Sequence, residues 1–150
     1  MHKASLKIGA ALMLCAFLSP AAHAKKCTTA QADAAETMVD YLDSWEKIDQ
    51  ARKQFGHCDE GSIAQGISEA VARRLVDNWD TLPTLANLIK KDRALKPFVM
   101  WHLNTTLDGG DLEKIQVLAT SSCQPGLNKL CAELKKTAKA TLKEALELSR

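Results

Sequence analysis

Apolar residues recur at three- and four-residue intervals along nearly the whole chain after residue 25. Over residues 29–55, Met38, Tyr41, Leu42, Trp45, Ile48 and Phe55 fall mostly three or four apart. Ile63, Ile67, Val71, Leu75 and Trp79 then follow one another at intervals of four, an apolar stripe drifting slowly round one helix. "PTLANLIKK" reads as a short helix with Pro83 in its first turn, where the missing N–H costs no bond. Asp92 is placed to cap "RALKPFVMWHLNTT", with Pro97 kinking its start, and Asp111 to cap "LEKIQVLATS". "LDGGD" and "SSCQPG" are turns by composition. The last helix runs from about Leu127 with Leu130, Leu134, Ala138, Leu142 and Ala145 inward. Alternating strand patterns do not occur. The expectation is an all-α bundle of about six to seven helices.

The first 24 residues break this pattern. A short basic start, "MHKASLK", precedes the apolar run "IGAALMLCAFL", and "SPAAHA" ends in small residues at Ala22 and Ala24. That order predicts a signal peptide over residues 1–24, cleaved before Lys25, and a single helical domain over 25–150. Acylation at Cys15 is the weaker alternative, because bulky Leu14 precedes it. No second apolar stretch is long enough to span a bilayer, so no transmembrane anchor is expected. The expected location is periplasmic or secreted.

Charge narrows the partners. Of 20 Lys and Arg, Lys3 and Lys7 fall in the leader, so the remainder balances the 18 Asp and Glu. Such a chain has no global field to hold nucleic acid or a membrane. Lys135, Lys139 and Lys143 form one basic row on the last helix, a candidate contact for an anionic partner or simply a solvated face.

Four cysteines remain beyond the leader: Cys27, Cys58, Cys123 and Cys131. An even number in an exported chain implies two disulfides, and three pairings are possible. Cys123 and Cys131 straddle the Pro-Gly turn before the last helix, which leaves Cys27 with Cys58. A continuous helix over 28–55 would separate those two by roughly 40 Å, whereas a disulfide needs Cα atoms within about 7 Å. Either that pairing is wrong or the helix breaks. "YLDSWEKI" carries Asp43 and Glu46 at capping-box spacing, so a reversal is predicted near Asp43 and Ser44.

"FGHCDEGSIAQG" concentrates the reactive-looking groups. His57, Asp59, Glu60 and distant His102 are the candidate metal ligands, but zinc wants about four ligands in spaced pairs, and neither Cys-x-x-Cys nor His-x-x-x-His occurs. The structural reading uses every residue: Cys58 as disulfide, Gly61 as tight turn, Asp59 or Ser62 as cap of a helix from Ile63. "HCDEGSIAQGISEAVARRLVDNWDTLP", "TLDGGDLEKI" and the later Cys-x7-Cys together resemble a group of small exported proteins of Gram-negative bacteria. The resemblance implies a helical, disulfide-bonded, periplasmic or secreted protein. That group has no assigned biochemical role, so it transfers no catalytic residues.

No catalytic constellation is read from the chain. Ser62, Ser68 and Ser121 lie in no G-x-S-x-G elbow. Glu69, Asp77 and Asp80 are the candidate paired carboxylates, but Glu69, Arg73 and Asp77 stand four apart as an ordinary helix charge ladder. His57 and His102 are the histidines that the bundle can bring together, with Trp101 expected to pack beside His102. Core packing is expected of at least two of Trp45, Trp79 and Trp101. The expectation is a non-enzymatic protein without a cofactor that binds another protein of the cell envelope, as an inhibitor or immunity-type protein. The alternative is a carrier or sensor of a small ligand or metal, using space near Trp79 and Trp101 or His57 with nearby carboxylates.

Overall fold

The computed structural model describes residues 25–150; the expected leader over 1–24, with Cys15, lies outside the described residues. Seven α-helices follow in order: α1 Thr29–Val39, α2 Trp45–Phe55, α3 Gly61–Asp77, α4 Leu82–Lys91, α5 Leu95–Trp101, α6 Gly109–Ser121 and α7 Asn128–Leu148. Single 3-10 turns, Gly56–Cys58 and Trp79–Thr81, precede α3 and α4. No strand occurs among the described residues.

Thr28 opens α1 through a reciprocal capping box with Gln31, which satisfies two otherwise orphaned N–H groups. The predicted reversal follows, but Ser44 rather than Asp43 caps α2, its hydroxyl accepting from Lys47 N–H at 3.3 Å. Asp43 instead pairs with the Lys47 ammonium at 2.8 Å. The hydrogen bond from Lys47 holds the Asp43 carboxyl below the ordinary aspartate range. With the chain reversed, Cys27 and Cys58 join across a Cα separation of 5.0 Å. Cys123 and Cys131 join at 6.1 Å. Both pairings are those expected from the spacing. Disulfides of this kind persist in oxidising compartments, and no helix of the described residues is long and apolar enough to cross a membrane.

The stripe of α3 forms the centre of the core. Ile63, Ile67, Val71 and Leu75 are all buried, as is Trp79 in the 3-10 turn just beyond α3, with Ile48 of α2, Leu85 of α4 and Val99 of α5. Gly66 lets α1 approach, since a Cβ there would overlap Val39 Cγ1. The α6–α7 pair is antiparallel, with Gly109 at the start of α6 lying against Leu142 near the end of α7. Trp45 and Trp79 are core residues that also find polar partners: Trp45 Nε1 donates to Thr81 Oγ1 at 3.0 Å and Trp79 Nε1 to the Ser122 carbonyl at 2.8 Å.

Three expected caps have other partners. Asp111 is drawn to the Arg73 guanidinium, and Asp108 caps α6 by accepting from Gly110 N–H at 2.8 Å. Ser62 donates to Glu36 at 2.7 Å, and Asp59 turns inward, so α3 begins after Glu60 with no side-chain cap. Asp92 accepts from Ala94 N–H at 3.0 Å and also holds Arg52. Pro97 falls in the first turn of α5, so it costs no helical bond, and α5 ends at Trp101 instead of continuing through Thr106.

Tyr41 and Trp101 point outward, at 64% and 73% exposure. Tyr41 lies beyond the end of α1, where helical phase no longer dictates direction. Leu95, Val99 and His102 share the inner face around α5, and Trp101 stands about 100° from His102 on a helix.

The Ala94 N–H and the Arg52 guanidinium together hold the Asp92 carboxyl below its ordinary value. A carboxyl shifted this way adds stability above its unfolded value, near pH 4, and loses it as pH falls through the lower folded value. Asp92→Asn is accordingly expected to lower the urea midpoint at pH 6 and to converge with the unsubstituted protein near pH 2. Equal midpoint differences at both pH values would remove the electrostatic account of Asp92.

Candidate functional site

The residues after Phe55 meet the far end of α5. Cys58 is held in its disulfide, and the next residue, Asp59, reaches the buried ring of His102, with Oδ2 3.1 Å from Nε2. This is an ion-pair separation without hydrogen-bond alignment, so Nε2 is left without a hydrogen-bond partner, and the other carboxylate oxygen, Asp59 Oδ1, has none either. On the other side of the ring, His102 Nδ1 lies 2.9 Å from Ser68 Oγ. Ser68 is fully buried in mid-α3, 2.9 Å from the Ala64 carbonyl, and accepts from Asn104 Nδ2 at 3.0 Å. Phe98 packs edge-on against the imidazole, ring centroids 4.4 Å apart.

A serine, an imidazole and a carboxylate in sequence invite comparison with a hydrolase triad. The geometry differs in two ways. The carboxylate faces Nε2 and the hydroxyl faces Nδ1, the reverse of the serine-protease arrangement. Ser68 and His102 have no exposed surface, so a substrate carbonyl has no approach to the hydroxyl. What the cluster does is tie the segment before α3, the middle of α3 and the end of α5 into one polar strut. Such a strut favours one arrangement of three elements, because parting them would also strand the buried Ser68 hydroxyl and His102 Nδ1.

Of the expected metal-ligand candidates, the fold joins Asp59 to His102 and separates the others. Glu60 borders a cleft beside the Cys27–Cys58 disulfide. His57 keeps a buried Nε2 without a hydrogen-bond partner. Among the described residues no three His, Cys, Asp or Glu side chains converge to hold a metal ion. Glu69 and Asp77 flank Arg73 at 2.8 and 3.1 Å, the ladder expected, and Asp111 completes it from α6. Together they raise the Arg73 value, led by the Asp111 hydrogen bond, so this guanidinium is committed to the α3–α6 contact.

A surface of another kind lies on the opposite flank of α7. Where α4 and α5 face the start of α7, a cavity of about 220 Å³ opens over Ala86, Ile89, Leu127 and Leu130. Lys90, Lys96 and Lys129 stand at its rim. Lys96 is paired with Glu133 at 2.8 Å, which also borders a second hollow of about 410 Å³ beside Met100, Thr137 and Ala140. The two hollows form one seam along α7. Neither Trp79 nor Trp101 lines it. Helical phase alone did not reveal the seam, because it depends on how far α4 and α5 stand from α7.

The lysine row is on the solvent face of α7 as expected. Lys135, Lys139 and Lys143 are exposed, and Lys143 lies 3.7 Å from Glu147. Among the described residues Trp101 is the bulkiest exposed apolar group, and its backbone carbonyl accepts from Asn104 Nδ2 at 3.3 Å.

These features define a class, a disulfide-stapled all-α protein with a sealed polar strut and an open basic seam. No protein-family model, curated protein or solved structure matches the chain.

Proposed function

We propose that this is an exported, non-enzymatic protein that acts by binding another protein of the cell envelope, as an inhibitor or an immunity-type protein does. The observation that carries the reading is Trp101, 73% exposed yet held on a backbone fixed by buried His102 and by Asn104. A large aromatic already exposed on a fixed backbone meets a partner without rearrangement of the fold, and tryptophan is enriched among residues that dominate interfaces. The sealed Ser68–His102–Asp59 strut supports the non-enzymatic part, since it engages the reactive-looking groups in holding helices together. The leader pattern and the two disulfides support export.

Trp101→Ala is expected to leave the urea midpoint unchanged while reducing capture of the partner from periplasmic extract about thirtyfold, the loss of one interface anchor of about 2 kcal/mol. Repeated failure of the unsubstituted protein to retain any protein partner overturns the reading. Native mass spectrometry of untagged protein showing a stoichiometric small molecule or metal ion would replace it with ligand carriage.

A further inference from the structure

The seam along α7 has a length, a floor and a charge, and together these specify an occupant. From Leu127 to Ala140 it extends about 20 Å at the helical rise per residue. Its floor is largely apolar: Ala86, Ile89, Leu127 and Leu130 in the first hollow, Met100 and Ala140 beside Thr137 and Thr141 in the second. Apolar floor of this kind is covered favourably by aliphatic or aromatic side chains. The rim has the opposite character. Lys90, Lys96, Lys129 and Lys136 line the two hollows against two carboxylates, Glu133 and Glu144; Glu133 pairs with Lys96, and Lys90 and Lys129 in the first hollow are left as its basic excess. Beyond the leader, acids and bases balance over the chain, so the excess at the seam is a local one.

We infer that the seam between α4–α5 and α7 receives an acidic segment of a protein partner, apolar side chains on its floor and carboxylates against Lys90 and Lys129. The inference rests on the protein-binding reading above and adds the place and the chemistry of the contact. The Lys96–Glu133 pair bridges the middle of the seam, so the segment passes over it with one anchor in each hollow. Charge at the rim speeds encounter and selects against basic segments, while the floor holds the complex.

The test places a photoreactive benzophenone side chain singly at exposed Asn87, on the flank of α4 one turn from Lys90, at Trp101, or at Glu113 on α6. Each protein is irradiated in cell-envelope extract, and the linked peptide is identified by mass spectrometry. The expected result is an adduct from Asn87 to a segment in which Asp or Glu flank apolar residues. Its yield falls about tenfold when Lys90→Glu and Lys129→Glu are combined, and holds when Lys135→Glu and Lys139→Glu are combined. A linked segment without an acidic excess, a lipid or small-molecule adduct at Asn87, or loss through the Lys135 and Lys139 pair instead overturns the inference. Protein adducts from Trp101 or Glu113 alone overturn it while leaving the protein-binding reading standing. No adduct from any of the three sites removes both.

Discussion

Replacing Cys27 and Cys58 together by alanine is expected to lower the unfolding free energy by about 3.7 kcal/mol, the larger of the two disulfide effects. The bond spans a sequence separation of 31, against 8 for Cys123–Cys131. In the chain-entropy account a loop of the first size restricts the unfolded state by about 3.7 kcal/mol and one of the second by about 2.5 kcal/mol. Native-state consequences point the same way. The longer bond fastens the start of α1 to the segment before α3, whereas Cys123–Cys131 fastens a turn to a helix it already adjoins. Urea unfolding of both double variants checks the order, and amide exchange in α1 checks the mechanism, since α1 loses protection first when its tether is cut. A larger loss from Cys123→Ala/Cys131→Ala would reverse the argument. Thiol titration of denatured, unreduced protein should find none of these four cysteines free.

His102→Ala is expected to destabilise by about 3–5 kcal/mol, comparable with loss of the long disulfide. Two costs add. The imidazole is wholly buried, so its removal leaves a void. It also strands the Asp59 carboxylate and removes one of the contacts of Ser68. Ser68→Ala should cost less, about 1–2 kcal/mol, since it opens a smaller gap and leaves the Asp59 contact in place. If the strut acts as a unit, the double variant loses less than the summed single losses by at least about 1 kcal/mol. Additivity within about 0.5 kcal/mol, read from urea midpoints, would mean that His102 and Ser68 merely happen to be neighbours.

Much of the fold was legible because its determinants are local. The four-residue recurrence from Ile63 to Trp79 marks a helix and its inner face, and all five positions are buried. Ser68 belongs to the same inner face, one turn before Ala72 and two before Leu75, so helical phase alone identifies it as a polar residue needing a buried partner. The partner is not local. His102 lies 34 residues away, and nothing in its neighbourhood distinguishes a buried histidine from a surface one.

The caps show the same division. Asp59, Ser62 and Asp111 stand where a helix start welcomes an oxygen, and each is engaged elsewhere, by His102, Glu36 and Arg73. A short carboxylate or hydroxyl serves a nearby N–H or a distant side chain equally well in chemical terms. The choice falls to whichever partner the packed helices bring within about 3 Å. Trp101 was expected to pack and does not, because α5 turns Leu95, Val99 and His102 inward instead.

Periodicity and the reach of a disulfide pointed to a helical chain and, given the preferred one of three cysteine pairings, to its reversal before Trp45, because each follows from distances along the backbone; the pairing itself is fixed by the fold. The sealed strut, the outward tryptophan and the basic seam were decided by the tertiary arrangement. Each depends on the separation of residues far apart in the chain, and side-chain chemistry alone leaves that separation open.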